Sequence, residues 1–434
     1  MRRFVAATVL ACLTSGPVAD AATIRVPEDY PTVLAGLDAS AAGDTVFVGP
    51  GTWTEQDTRP TIVGTVPANG FIPSGVTLIG SGPEQTILEG PPSPGGARAL
   101  VLIVLGGTEP VEIRGLTCQG GGFPYWGLYA QGYFDLTIED CVFEENACAI
   151  KADDVNGFVR NCVFRRQDST PAPPEYSTPT GLDAFNARWT IEDCLFEENV
   201  GEMLIESVGI GGDRGEVRRC RFINNETRRV LLLLDHHPME IEDCWFEGNL
   251  GPANVSGWCL STGNARGNIR RNTFVGNSSD SPAASLIYLF NGDDGVVHFT
   301  DNTIYANPLV GGRGVSVGTT VPAEFARNII GGCGDGVGLY LTLFSEQPYG
   351  GCNVFWDNPG GNFQNYTPKP TDLQADPLFC NPDANDFHVA EQSPCAPGGI
   401  PSCGQIGAWP VGCGLVSIQA TSWGRIKSLY RGGE

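Results

Sequence analysis

Cationic residues are scarce in this 434-residue sequence: it has three lysines, and Lys+Arg total 26 against 49 Asp+Glu, for a formal charge of −23. A surface with that balance repels phosphate backbones and anionic lipid head groups, which argues against nucleic acid or a charged membrane surface as partner. Long apolar runs are lacking too. No segment beyond the amino terminus approaches the ~20 residues needed to cross a bilayer as a helix, so no transmembrane segment is expected. Long helices are disfavoured by 58 glycines and 32 prolines, because the first residue loosens a helix and the second breaks it. What remains is 41% apolar and 9% aromatic residues, enough core material for a folded, loop-rich chain. At roughly 150 residues per domain this length would mean about three domains, unless an internal repeat makes one long unit.

The amino terminus reads as an export signal over residues 1–21: Arg2 and Arg3, an apolar run from Phe4 to Leu13, and small residues around Ala19 and Ala21. Leu10 and Ala11 before Cys12 also fit a lipid-anchor site. Either way the expected location is secreted, periplasmic or cell-surface.

A repeat organises the rest. TIEDCVFEEN at 137–146 returns as TIEDCLFEEN at 190–199 and EIEDCWFEGN at 240–249. Looser copies extend the series in both directions. Taking Cys or Asn as the phase marker gives Cys141, Cys162, Cys194, Cys220, Cys244, Asn272, Asn302, Asn328 and Asn353, with a mean spacing of about 26 residues, in the range of stacked repeat units. Each copy alternates apolar and polar residues in a short run bounded by Gly, Asn and Asp, which is a strand signature. A second short strand precedes most copies, as in GLYA at 127, AIKA at 149, GLDA at 181 and LIYLF at 286. The expected fold is therefore all-β, a right-handed parallel β-helix of roughly 11 coils, about 50 Å long at the ~4.8 Å strand spacing.

In such a coil each position stacks on its counterpart in the next. The five cysteines should then form an inward ladder of small apolar side chains, and the four asparagines should continue it while bonding buried backbone groups. Zinc ligation needs convergent pairs such as CxxC, which are absent. Cys380, Cys395, Cys403 and Cys413 lie close together in a Pro- and Gly-rich segment and read as two disulfides of open connectivity, with Cys333 and Cys352 a candidate further pair.

TIRVPEDYPTVLAGLDASAAGDTVFVGPGTWTE, from Thr23 to Glu55, resembles the amino-terminal cap and first coil of bacterial right-handed parallel β-helix proteins of the pectin-lyase-like superfamily. ADPLFCNPDANDFHVAEQSPCAPG followed by GQIGAWP is similar to their closing segment. The likeness covers roughly residues 23–413, leaving 414–434 as a basic tail. It implies a short capping helix within 30–39, a first strand at Asp44–Val48 and a disulfide-rich carboxyl-terminal cap over a helix spanning 22–413. It implies no single activity, because the superfamily includes lyases, hydrolases, esterases, epimerases and non-enzymes. The paired aspartates with GHG of polygalacturonases, the WxDH of pectate lyases and the GxxDF of pectinesterases are all missing, and ArgIleLys at 425–427 falls in the tail.

Enzymes of this shape usually work in a groove on one long face, so outward charges beside long loops mark candidate sites. Tyr129, Lys151 and Asp183 are expected to point outward from successive strands, with Glu206 on the next coil and Arg228 beyond it. The proline-rich RQDSTPAPPEYSTPT would wall this face, and Phe123, Tyr125, Trp126 and Tyr133 supply aromatic faces. Rings beside carboxylates suit sugars, so Tyr125, Trp126, Tyr129 and Arg228 are the substrate-binding candidates. In a lyase, Lys151 would take the proton beside a uronate while Asp153, Asp154 and Asp183 held calcium. In a hydrolase, Asp154 would work with Asp183 or Glu206. The bland alternative is a solvated charged face on a non-catalytic structural or adhesion module. His236 and His237 read either as a site or as a turn, and Glu139, Asp140, Glu192, Asp193, Glu242 and Asp243 as a periodic acidic stripe able to attract calcium loosely or simply to keep the rod soluble.

Overall fold

The structure, a computed structural model, describes residues 21–413 except 62–63, 91–99, 122–125, 170–178, 187, 209–214, 236–237, 253–255, 264–265, 292–294 and 344. The export segment, Cys12, the tail after Cys413 and the His236–His237 pair therefore lie outside the described residues.

The alternating repeats form strands that stack coil on coil into about eleven turns of a right-handed β-helix. Among the described residues they order into three sheets of thirteen strands each. The first sheet runs from Thr23–Val26 to Tyr349–Gly351, the second from Gly51–Trp53 to Leu373–Gln374, and the third from Asp57–Thr61 to Phe363–Gln364. Pairing between coils is parallel, apart from the hairpin of Asp57–Thr61 with Gly64–Ile72. The earliest strand is Thr23–Val26, ahead of Thr45–Val48, because it pairs with that strand residue for residue. A helix at Val33–Ala39, capped by the Thr32 hydroxyl, lays Val33 and Leu37 across the open end of the first coils.

Two of the three corners of each coil turn at a residue in the left-handed region. Asp140, Asn161, Asp193, Arg219, Asp243, Arg271, Asp301 and Arg327 turn the first sheet into the second, with φ between 51° and 58°. Each such residue costs roughly 1–2 kcal/mol in isolation, which ladders of buried side chains beside the corners offset. At the first corner Cys141, Cys162, Cys194, Cys220 and Cys244 are buried, each thiol close to backbone carbonyls. From Asn272 to Asn353 each amide also bonds its counterpart in the next coil: Asn302 Nδ2 donates to Ile269 O at 2.9 Å and to Asn328 Oδ1, and its Oδ1 accepts from Asn272. A second ladder, Asn146, Gln167, Asn199, Asn225, Asn249, Asn277 and Asn307, does the same at the second corner. It comes from the Asn that ends FEEN. Inside the second sheet Phe143, Phe164, Phe196, Phe222, Phe246 and Phe274 stack with ring centroids 4.5–5.2 Å apart.

The carboxyl-terminal segment does not plug the end of the helix but folds back along the outside of the second sheet. Phe379 and Phe387 pack on Tyr305, Phe387 also meets Trp245, and Trp409 donates to Thr273. The expected pairings among its cysteines need correction. Cys380 bonds Cys413, but Cys403 bonds Cys352 of the last coils, while Cys395 and Cys333 are free and buried. Cys395 packs with Val389 and Ile406 of this segment in a small core against Ile329 and Val354 of the coils, so it fills space there, and burial pushes its thiol up to about 12.

Candidate functional site

The connections that enter and leave the third sheet vary in length, the longest being that from Arg165 to Pro179 on its entry side, so this sheet is flanked by most of the irregular connections. Lys151, Asp183 and Glu206 occupy one column on its outward face, Lys151 in register with Asp183 and Asp183 with Glu206. Lys151 lies in Ile150–Asp153, Asp183 in Pro179–Phe185 and Glu206 in Val200–Val208. Their outward direction follows from the alternation of each strand: Ile150, Leu182 and Ile205 are buried inside at the preceding positions.

The Lys151 ammonium bridges two carboxylates, 3.1 Å from Asp153 Oδ1 and 3.0 Å from Asp183 Oδ2. Burial would lower its proton affinity, but the charges and hydrogen bonds of Asp183 and Asp153 outweigh burial and hold it above the usual lysine value. It is therefore an ammonium at neutral pH and a poor proton acceptor. Asp183 moves the other way. Burial raises its proton affinity, Lys151 opposes this and the nearby Asp153 adds to it, leaving the carboxyl above the usual range. Glu206 is next to Asp183 in register, so two carboxyls share this part of the column.

The other candidates separate. Tyr129 is in register with Lys151 but is only 2% exposed, so it is not a substrate contact. Trp126 stacks on it at 5.2 Å, and Phe71 and Leu105 close around it. Its hydroxyl still reaches Gln131 at 3.1 Å and Asp153 Oδ2 at 3.3 Å, holding the carboxylate oxygen that Lys151 does not. Trp126 is half-buried as the cover of that cluster. Tyr125 and Phe123, and most of the proline-rich loop, lie outside the described residues. Asp154 is at a corner, with φ 59°, where its carboxylate accepts from Asn186, so it does not join Asp183. Arg228 is exposed near the start of Glu226–Asp235, whereas the position opposite Glu206 is Leu233 near its end.

Asp153 and Asp183 do not fit a calcium ion, since both carboxylates are directed at the Lys151 ammonium, and among the described residues no group of three or more potential ligands converges on one point. The acidic stripe is also neutralised from within. Arg114, Glu139, Arg160, Glu192, Arg218, Glu242 and Arg270 succeed one another in register along the first sheet, and arginines hold Asp193, Asp243 and Asp301 at the corner.

Aromatic side chains not singled out from sequence lie on the same face. Phe185, in register with Asp153, is 44% exposed. Tyr288 is half-buried further along the Lys151 column, and Phe290 is two residues beyond it. Spacing from the phase marker conceals them: Asp183 precedes Cys194 by 11 residues and Tyr288 precedes Asn302 by 14, because the third corner changes length from coil to coil.

Residues 102–341 match the family described as right handed beta helix region. No curated protein matches the chain in sequence. Among solved structures, the chain is similar to the catalytic domain of a GH87 alpha-1,3-glucanase in complex with tetrasaccharides, with 14% identity and a TM-score of 0.46, over 76% of this chain and 63% of that one. It thus spans less than two thirds of the glucanase domain. It is also similar to PfbA, a surface adhesin of Streptococcus pneumoniae, at 12% identity and TM-score 0.43 over 79% and 91% of the two chains. A third likeness is to the PL6 family polysaccharide lyase Pedsa3628 from Pseudopedobacter saltans, at 13% identity and TM-score 0.38 over 82% and 92%. These are likenesses of fold alone.

Proposed function

The chain belongs to the right-handed β-helix family, and from that premise we propose that it cleaves a polysaccharide by hydrolysis across the outward face of the third sheet. The observation that carries this reading is the column Lys151, Asp183, Glu206, with Asp183 held above the usual carboxylate range. Asp183 acts as the general acid, protonating the glycosidic oxygen as the bond to the leaving sugar breaks. Glu206 attacks the anomeric carbon or activates a water for that attack. Asp183 and Glu206 stand on adjacent rungs, whose backbones are about 4.8 Å apart, so their carboxyls project from neighbouring coils of one face. Lys151 does not act as a lyase base in this scheme; with Asp153 behind it, it fixes the Asp183 carboxyl. Phe185 offers an exposed ring beside the cluster for the apolar face of a sugar. The two disulfides support export to an oxidising compartment, at the cell surface or beyond it.

The test is incubation of the protein with neutral and uronate-containing polysaccharides, following new reducing ends and unsaturated ends separately. Hydrolysis gives reducing ends without unsaturation, lost in Asp183→Asn and Glu206→Gln. Unsaturated products would replace this reading with a lyase. A second reading, a non-catalytic surface module that only binds polysaccharide, is favoured by the closed ion-pair network of Lys151, Asp153 and Asp183; binding without any product would establish it.

A further inference from the structure

Tyr288 projects outward from Ser285–Asn291, in the column that begins with Lys151 and Asp183. The neighbouring coils give it room to lie down. On one side a Cβ added at Gly257 would meet Tyr288 Cβ at 2.5 Å. On the other, a Cβ at Gly318 would meet the Tyr288 Oη at 2.5 Å and ring carbons at 2.9 and 3.0 Å. Any side chain at Gly318 would lift the ring. With glycine there, the outer edge of the ring lies over the next rung. Phe290, the next outward residue and the register partner of Gly318, lies beside it, with centroids 5.8 Å apart and planes within 27°. These two half-buried rings, stacked at a small inclination, make one aromatic patch. The strand carrying Gly257 is irregular here, its register slipping between Ser256 and Leu260, as at bulges that re-aim side chains beside binding sites.

We propose that Tyr288 and Phe290 form an ancillary saccharide-binding platform that holds a distant part of the same polysaccharide chain whose bond is cleaved at Asp183. The inference rests on the reading of this face as a saccharide groove and adds a second contact to it. The patch stands four rungs from Asp183, about 19 Å along the axis. A chain reaching both must be an oligomer lying along the β-helix, not a mono- or disaccharide. The recognised chemistry is the CH-rich face of a pyranose ring stacked on a flat aromatic surface. Arg313, one rung on from Tyr288, is folded over the ring of Tyr340 on the rung after that, at 3.9 Å, so its charge is directed at that ring and the patch itself recognises apolar sugar faces, not anionic groups.

The experiment is affinity electrophoresis of the full chain in gels containing xylan, soluble β-glucan or soluble α-glucan, together with turnover of short oligosaccharides of whichever polymer is bound. Tyr288→Ala is expected to weaken polymer binding about tenfold while leaving turnover of the shortest cleaved oligosaccharide unchanged. Tyr288→Phe, which keeps the ring, should bind as the parent does. Melting curves of both variants identify loss of fold, and Phe290→Ala gives an independent probe of the same patch. If Tyr288→Ala and Phe290→Ala fold and bind the polymer as tightly as the parent, the platform is refuted while the proposed site stands. If the parent binds and cleaves no saccharide in the panel, both fall.

Discussion

Lys151 donates its ammonium to Asp183 at 3.0 Å across one rung of the third sheet, and both side chains are less than one-fifth exposed. The pair sets the charge state of the candidate site. Replacing Lys151 by Met removes the attraction that opposes burial, so the Asp183 carboxyl should titrate at still higher pH than in the parent. Carboxyl carbon NMR of aspartate-labelled protein would read this directly. A titration that moves down or stays put would show that Lys151 does not act on Asp183.

The same pair makes stability depend on pH with a definite sign. The Lys151 ammonium is held above its ordinary value of 10.5, so its stabilisation is fully present below that pH and is lost as pH rises through the higher folded-state value. Asp183 is raised above 3.8; it favours the folded state when protonated and costs stability as pH climbs from that value through its own folded-state value. Lys151→Met should therefore cost roughly 2–4 kcal/mol at neutral pH by leaving two carboxylates together. The difference from the parent should shrink in strongly alkaline solution, as chemical denaturation across pH would show.

Calcium should change little. Asp153 and Asp183 already share the Lys151 ammonium, and the acidic corners are paired with arginine. Millimolar calcium and a chelator are expected to give the same melting temperature and the same activity on any substrate found. A calcium-dependent rise in melting temperature abolished by Asp153→Asn would show that the ion displaces Lys151.

The repeat made the architecture legible because every coil must bury the same face in the same register. The marker cysteines and asparagines are residues that a stacked corner needs: short side chains able to sit against backbone groups. The same logic placed Lys151 and Asp183 in one column. It failed where the periodicity fails. Tyr129 alternates outward like its neighbours, but whether an outward ring meets solvent depends on what covers it: Trp126 comes from an irregular segment that no spacing rule positions, and Phe71 from the strand Gly64–Ile72, ahead of the recognisable repeats. Tyr288 was hidden by the varying third corner. The Cys352–Cys403 bond was hidden because the closing segment runs back along the second sheet instead of across the end.

The asparagine ladder predicts a large cost for a small change. Asn302 satisfies the backbone carbonyl of Ile269 and the backbone N–H of Asn272 and links the amides of two other coils, all at zero exposure. Asn302→Ala strands these groups without giving water access, at about 1–3 kcal/mol for each group left unsatisfied. Denaturant unfolding should show a loss of several kcal/mol, against a much smaller loss for an exposed residue such as Asp335→Ala. A loss under about 1 kcal/mol would mean that water or a local shift replaces the amide.

The two disulfides should differ in what their loss does. Cys380–Cys413 closes the carboxyl-terminal segment on itself, whereas Cys352–Cys403 ties that segment to the last coils across 51 residues. In the chain-entropy account a loop of that length stabilises by about 4 kcal/mol, and here the benefit falls on one flank. Without the tether, the segment is held on the coils by non-covalent contacts: Phe387 and Trp409 on Trp245, Phe379 and Phe387 on Tyr305, and the small core with Ile329 and Val354. Cys352→Ala with Cys403→Ala should therefore detach the segment before the coils melt, giving an early transition by tryptophan fluorescence and leaving the far-UV β signal to a later one. The separation follows because the coils have their own ladders and core, to which this segment contributes no strand. A single cooperative transition in the double variant would mean instead that the flank and the coils unfold as one unit.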